Sequence, residues 1–134
     1  MKLNKKTGVA MFIVCAAVLA IYTFVAPAQA ASVQPRYVGS YIGSYLGEAD
    51  FGSFELTITE DGKITGMGKS SKYDSSSEYS GVCQNDGTLQ FTAGDGNHNF
   101  VGHLDWMNRI FGKWTQSNNA LGGSFTAVPS SWSN

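Results

Sequence analysis

Phe54, Leu56 and Ile58 alternate with Glu55, Thr57 and Thr59, the period of a strand with one buried face. Asp61-Gly62 then turns the chain, and Lys63-Ile64-Thr65-Gly66 returns. Two loop lengths compete here. A two-residue Asp61-Gly62 loop pairs Ile58 with Thr65 and puts Ile64 on the opposite face. A bulged loop over Glu60, Asp61 and Gly62, with the glycine left-handed, pairs Thr59 with Lys63, Ile58 with Ile64 and Leu56 with Gly66. A one-residue slip sends every apolar side chain to the wrong face, so the hydrophobic pattern selects the longer loop.

Much of the chain repeats this unit. Glu78 to Phe91 forms a second bulged hairpin around Asn85-Asp86-Gly87, pairing Cys83 with Leu89, Gly81 with Phe91 and Tyr79 with Ala93. Phe100, Gly102, Leu104 and Trp106 alternate with Val101, His103 and Asp105. A tight turn near Met107-Asn108-Arg109 leads back through Ile110, Gly112 and Trp114. Pairing Trp106 with Ile110 sets Leu104 against Gly112 and Gly102 against Trp114, so a side chain at Gly102 should crowd that indole. Upstream, Tyr37 to Gly47 repeats Tyr-x-Gly-Ser every four residues, twice the strand period. Tyr37, Tyr41 and Tyr45 share one face with the glycines, and Val38, Ile42 and Leu46 share the other; either could point inward. Ser70 to Ser77 reads as an exposed loop, as does Gln116 to Ala120, and Gly122 to Val128 is the last strand, ended by Pro129.

These are eight short sequential strands without a helix after the N-terminus. Mid-strand glycines opposite bulky partners suit a sharply bent, closed sheet. The expected fold is all-β: an eight-stranded antiparallel up-and-down meander barrel, with a two-sheet sandwich as the alternative. Closure also removes the exposed edges of an open meander.

The N-terminus follows another grammar. Lys2, Lys5 and Lys6 precede an apolar run from Val9 to Ala26, and Ala28-Gln29-Ala30 follows, the pattern of a signal helix with its cleavage site. Pro27 and the small residues after it favour cleavage; an uncleaved membrane anchor is the alternative for so long an apolar run. Residues 1–30 are therefore expected as a signal peptide and 31–134 as one barrel domain, exported to the periplasm, cell surface or beyond. Losing those three lysines from nine Lys and Arg leaves six against ten Asp and Glu, a formal charge of −4. That balance argues against nucleic acid or an anionic membrane as partner. Cys15 lies in the apolar run, so Cys83 stands alone in the exported domain, and its register beside apolar neighbours marks it as a small buried hydrophobe.

With the strands in place, the chain resembles the small meander barrels of the calycin type, avidins and lipocalins. Gly39-Ser40-Tyr41 sits where those families carry Gly-x-Trp in the first strand. Phe54 to Gly66 is similar to the avidin second and third strands, and Phe100-Val101-Gly102 and Trp114-Thr115 fall in matching order. The resemblance implies a binding barrel. It does not extend to biotin, because Ile42-Gly43-Ser44-Tyr45 lacks the polar residues that hold the ureido group. Ala120 to Ala127 also resembles the last strand of the barrel lobes in bacterial transferrin-binding surface lipoproteins.

Motifs for catalysis or metal binding are thin. His103 and Asp105 share a face but have no third partner fixed by spacing, and that face reads as solvated, as does His98 at its loop edge. Asp95-Gly96-Asn97-His98-Asn99 begins like a calcium loop but continues with Phe100 where glycine belongs and reaches Trp106 where glutamate belongs. No Gly-x-Ser-x-Gly elbow or phosphate-cradling loop occurs. An enzyme is the least supported class, and no cofactor or metal is expected. The aromatic residues Tyr37, Tyr41, Tyr45, Trp106 and Trp114 are the candidate ligand-binding set; the alternative is that they fill the barrel and its ends. Two functions remain: a non-enzymatic module taking a small apolar ligand in the barrel mouth, or a factor binding another exported protein, such as a hydrolase inhibitor. In the second, loops Gly47–Phe51, Lys69–Ser77 and Gln116–Ala120 make the contacts.

Overall fold

A computed structural model describes residues 32–94 and 96–133; the expected signal segment, 1–30, lies outside the described residues. Eight strands follow in order: β1 (Gly39–Gly47), β2 (Gly52–Ile58), β3 (Lys63–Ser70), β4 (Ser75–Cys83), β5 (Thr88–Ala93), β6 (His98–Leu104), β7 (Ile110–Gln116) and β8 (Gly122–Pro129). Each pairs antiparallel with the next, and β1 pairs with β8, closing an up-and-down barrel rather than a sandwich.

One turn design, used three times, sets the register. In the β2–β3 turn the Gly62 N–H donates to the Thr59 carbonyl at 2.9 Å, and the Thr59 N–H donates to the Lys63 carbonyl at 3.0 Å. The β4–β5 turn repeats this with Gly87, Gln84 and Thr88. Gly62 (φ 84°) and Gly87 (φ 90°) occupy the left-handed slot that ends each loop. Ile58 opposes Ile64, Leu56 opposes Gly66, Cys83 opposes Leu89 and Gly81 opposes Phe91, the pairs that the hydrophobic pattern predicts.

The β6–β7 hairpin departs from expectation by two residues. Leu104 opposes Ile110, Gly102 opposes Gly112 and Phe100 opposes Trp114, so Trp106 leaves the strand for the turn and is 80 % exposed. The cause is Asp105. Its Oδ1 accepts the Met107 and Arg109 N–H groups, both at 2.9 Å, and its Oδ2 accepts Arg109 Nε at 2.8 Å. That capping starts the turn at Asp105, and Asn108 (φ 62°) takes the left-handed slot. A shift of two leaves every other side chain on its predicted face. The predicted loop from Ser70 to Ser77 also shortens: Ser70 pairs with Ser75, and only residues 71–74 turn.

The inward faces form one hydrophobic cluster that fills the lumen. Phe91 and Phe100 stack with centroids 4.6 Å apart and planes 7° from parallel, and Phe125 meets Phe100 edge-on at 5.3 Å. Glycines make the room for these rings. A Cβ on Gly68 would lie 2.2 Å from the Tyr79 ring, and one on Gly112 would lie 2.5 Å from Phe125. Tyr41 and Tyr45 point inward on β1, which settles its face, while Leu46 is exposed.

One end is sealed by the segment ahead of β1, a 3-10 turn over Pro35–Tyr37. Val33 and Tyr37 are buried there. The Val33 N–H donates to the Glu60 carbonyl at 3.0 Å, Gln34 Nε2 donates to the Asn85 carbonyl at 2.7 Å, and Arg36 Nη1 donates to Asn108 Oδ1 at 3.0 Å. The cover is thus tied to all three of the hairpin turns described above.

Gly102→Val should destabilise the barrel, but not by crowding Trp114. Its Cβ would sit 2.3 Å from the Phe111 carbonyl oxygen and 3.0 Å from Gly112 Cα, so the β6 and β7 backbones would have to separate. Overpacking of this kind costs ~1–3 kcal/mol, a fall in Tm of at least about 4 °C for a domain this size. Thermal unfolding followed by circular dichroism checks it; an unchanged Tm contradicts the register.

Candidate functional site

The opposite end of the barrel is polar. There the loops β1–β2, β3–β4, β5–β6 and β7–β8 meet, and Asp50, in the first of them, is only 3 % exposed. Burying a carboxylate requires compensating donors. Asp50 Oδ1 accepts the Phe51 N–H at 2.8 Å and the Ser70 hydroxyl at 2.5 Å; Oδ2 accepts the Tyr45 hydroxyl at 3.1 Å. Ser70, buried at the end of β3, in turn accepts the Tyr73 N–H at 3.0 Å, which holds the β3–β4 turn against the carboxylate. His98, the first residue of β6, places Nε2 at 3.4 Å from Asp50 Oδ2 and its ring 5.4 Å from that of Trp114. Gln116 Nε2 lies 3.4 Å from the same nitrogen, and Trp114 Nε1 donates to the Leu46 carbonyl at 3.1 Å.

Beside this network lies a cavity of about 130 Å3, lined by Tyr45, Asp50, Ser70, Tyr79 and His98, with exposed Tyr73 and Ser75 at its mouth. Tyr79 is 5 % exposed, and no described residue makes a hydrogen bond to its hydroxyl. Burial, then the charge and hydrogen bond of Asp50, pushes the Tyr45 phenol up from 10.0 to about 12. Burial also raises Tyr79, with Tyr45 and Asp50 adding to it. At the sealed end, burial lifts Tyr41 to about 12 and Cys83 from 9.0 to about 11.

The five aromatic candidates do not line one site. Tyr45 and Trp114 belong to the polar end. Tyr37 and Tyr41 lie under the seal, where the Tyr41 hydroxyl donates to the Tyr37 carbonyl at 2.7 Å. Trp106 projects from the β6–β7 turn into solvent. His98 is the correction to the expected solvated loop edge: it shares the inward face of Phe100 and Leu104, and the same alternation counted back from Phe100 reaches it. Ser70 follows from Ile64, Gly66 and Gly68 in the same way. Asp50 carries no such signal, because its burial is made by partners from other strands. His103 is exposed, and the carboxylate of Asp105 is taken up by its own turn.

The polar end pairs a buried carboxylate with a partly buried imidazole. Ser70 donates to Asp50 and not to His98, so no serine–imidazole pair forms. No third His, Cys, Asp or Glu joins Asp50 and His98 among the described residues. Comparison with protein-family models and with curated proteins finds no match to this chain.

Stability should fall on the alkaline side. Cys83, Tyr41 and Tyr45 hold their protons to higher pH folded than unfolded, so the stability they contribute is fully present below about pH 9 and is lost as pH rises toward about 12. Urea midpoints measured against pH should be flat up to about 9 and then decline. A midpoint that holds constant through that window contradicts the buried placement of these groups.

Proposed function

We propose that this chain is an exported binding module on the calycin-like plan that engages another exported protein through the loops of its polar end. The observation that carries this reading is the filled lumen. An eight-stranded barrel has room for its own side chains or for one small ligand, and here Phe54, Phe91, Phe100, Phe125, Tyr79 and Trp114 take the space. The cavity at the polar end, about 130 Å3, is smaller than the roughly 300–1,000 Å3 of ordinary small-molecule pockets and is polar. Both facts favour a protein partner over an apolar ligand in the mouth.

The rim around the polar end supplies contact chemistry. Phe51, Tyr73 and Leu121 are exposed on three of its loops, with Leu46 beside them on β1. Exposed aromatics on short, anchored loops are the side chains that carry interface energy. The anchoring is specific: Lys72 Nζ donates to the Glu48 carbonyl at 2.9 Å and the Tyr73 hydroxyl donates to the Ala49 carbonyl at 3.2 Å, tying two of these loops together. The outward strand positions are mixed: Glu55, Thr57, Lys69, Ser80, Gln90 and Lys113 are polar and exposed, and Met67, Val82, Val101 and Phe111 are exposed among them.

Native mass spectrometry of protein purified from its own host tests the reading. A co-purifying protein should be retained by the wild type, with binding weakened about thirtyfold in a Phe51→Ala, Tyr73→Ala double variant of unchanged Tm, the effect of losing about 2 kcal/mol of aromatic anchor. An apolar small molecule retained in the lumen, or a partner held equally by the double variant, contradicts it.

A further inference from the structure

We propose that the cavity at the polar end is a binding site for one compact alkylammonium group, either a small free primary amine or the end of a lysine side chain. This stands independently of whether a protein partner exists.

The charge of the site sets the ligand class. Asp50 is buried, and among the described residues His98 is the only basic group within 4.0 Å of its carboxylate. Lys72 and Lys69, the nearest lysines in sequence on the β3–β4 side, are engaged elsewhere, on the Glu48 carbonyl and on Asp74. A carboxylate presents about four acceptor positions. Oδ1 uses two on Phe51 and Ser70, whereas Oδ2 has one hydrogen bond, from Tyr45, and a longer 3.4 Å approach from His98. The under-used acceptor is therefore Oδ2.

Tyr79 is the second, independent observation. Its hydroxyl is buried without a hydrogen-bond partner among the described residues, and it abuts Gly68, another lining residue of the same cavity. A hydroxyl that faces the cavity without a protein partner is open to a polar group from outside, which would exchange for water there. An ammonium carries three donors and no acceptor. Asp50 Oδ2 and Tyr79 Oη can take two of these donors, and the Ser75 or Ser77 hydroxyl at the mouth can take the third. The phenol rings of Tyr45, Tyr73 and Tyr79 supply the aromatic surface that favours a cation. An anion is disfavoured by Asp50. A metal ion would find one carboxylate and one imidazole, short of a ligand set. The volume admits a few heavy atoms beyond a single water.

The test is an NMR titration of the folded barrel with ethylammonium chloride at constant ionic strength, reading side-chain signals of Tyr79, His98 and Trp114. Ethanol serves as the neutral comparator and N-acetyl-lysine amide as the side-chain source. Saturable shifts with ethylammonium, at an about millimolar dissociation constant, and none with ethanol are expected. A matching response to the lysine derivative assigns the site to side chains as well; a response to ethylammonium alone assigns it to free amines. Asp50→Asn should abolish binding. Tyr79→Phe, which removes one oxygen and keeps the ring, should weaken it about tenfold at unchanged Tm, and it decides the matter if Asp50→Asn does not fold. No saturable shift, an equal response to ethanol, or wild-type affinity in Tyr79→Phe overturns the proposal.

Discussion

The stack of Phe91 on Phe100, with Phe125 set edge-on against both, is the contact around which the barrel is closed. A sheet of eight short strands closes on a narrow interior, and only alternation of very large with very small side chains fills it without strain. Phe54 completes the layer at about 6 Å from Phe91, Phe100 and Phe125. Gly43 and Gly112 lie beneath these rings, where any Cβ would fall within 3 Å of Phe54 or Phe125. The glycines are thus the complement of the aromatic residues. Dispersion and hydrophobic burial reward the stack, and the bent backbone is the geometry that permits it.

A solid interior divides the molecule into two ends with different chemistry. The sealed end binds its own chain: Arg36, Gln34 and Val33 donate to the hairpin turns, and Asn108 Nδ2 returns a bond to the Arg36 carbonyl at 2.5 Å. The polar end is held by a buried carboxylate instead, with Tyr45, Ser70 and the Phe51 N–H around it. Such a network specifies geometry more than it adds stability, since hydrogen bonding to Asp50 largely offsets the cost of burying it. It positions the β1–β2 and β3–β4 loops, and with them the exposed Phe51 and Tyr73.

The sequence showed the fold far more clearly than the site, and particular residues explain the difference. Gly62 and Gly87 announce the left-handed slot of their hairpins, and the flanking alternation then leaves one register that buries Ile58, Ile64, Leu89 and Phe91 together. The third hairpin hides the same slot behind Asn108, while the bulk of Trp106 invites an inward placement that Asp105 prevents by capping the turn one residue earlier. On β1, valine, isoleucine and leucine compete with three tyrosines for the inside. The decision comes from Gly43, whose face is the one with room for Phe54. His98 and Ser70 were legible by extending the alternation of their strands. Asp50 was not, because no local pattern signals burial that Tyr45, Ser70 and His98 create only once the barrel has closed.

Inter-ring nuclear Overhauser effects offer the most direct test of the filled lumen. A dense set is expected among the ring protons of Phe54, Phe91, Phe100 and Phe125, strongest for the Phe91–Phe100 pair at 4.6 Å, with no cross-relaxation to water. Ring protons that exchange magnetisation with solvent or with a retained ligand, and a missing Phe91–Phe100 contact, would contradict it.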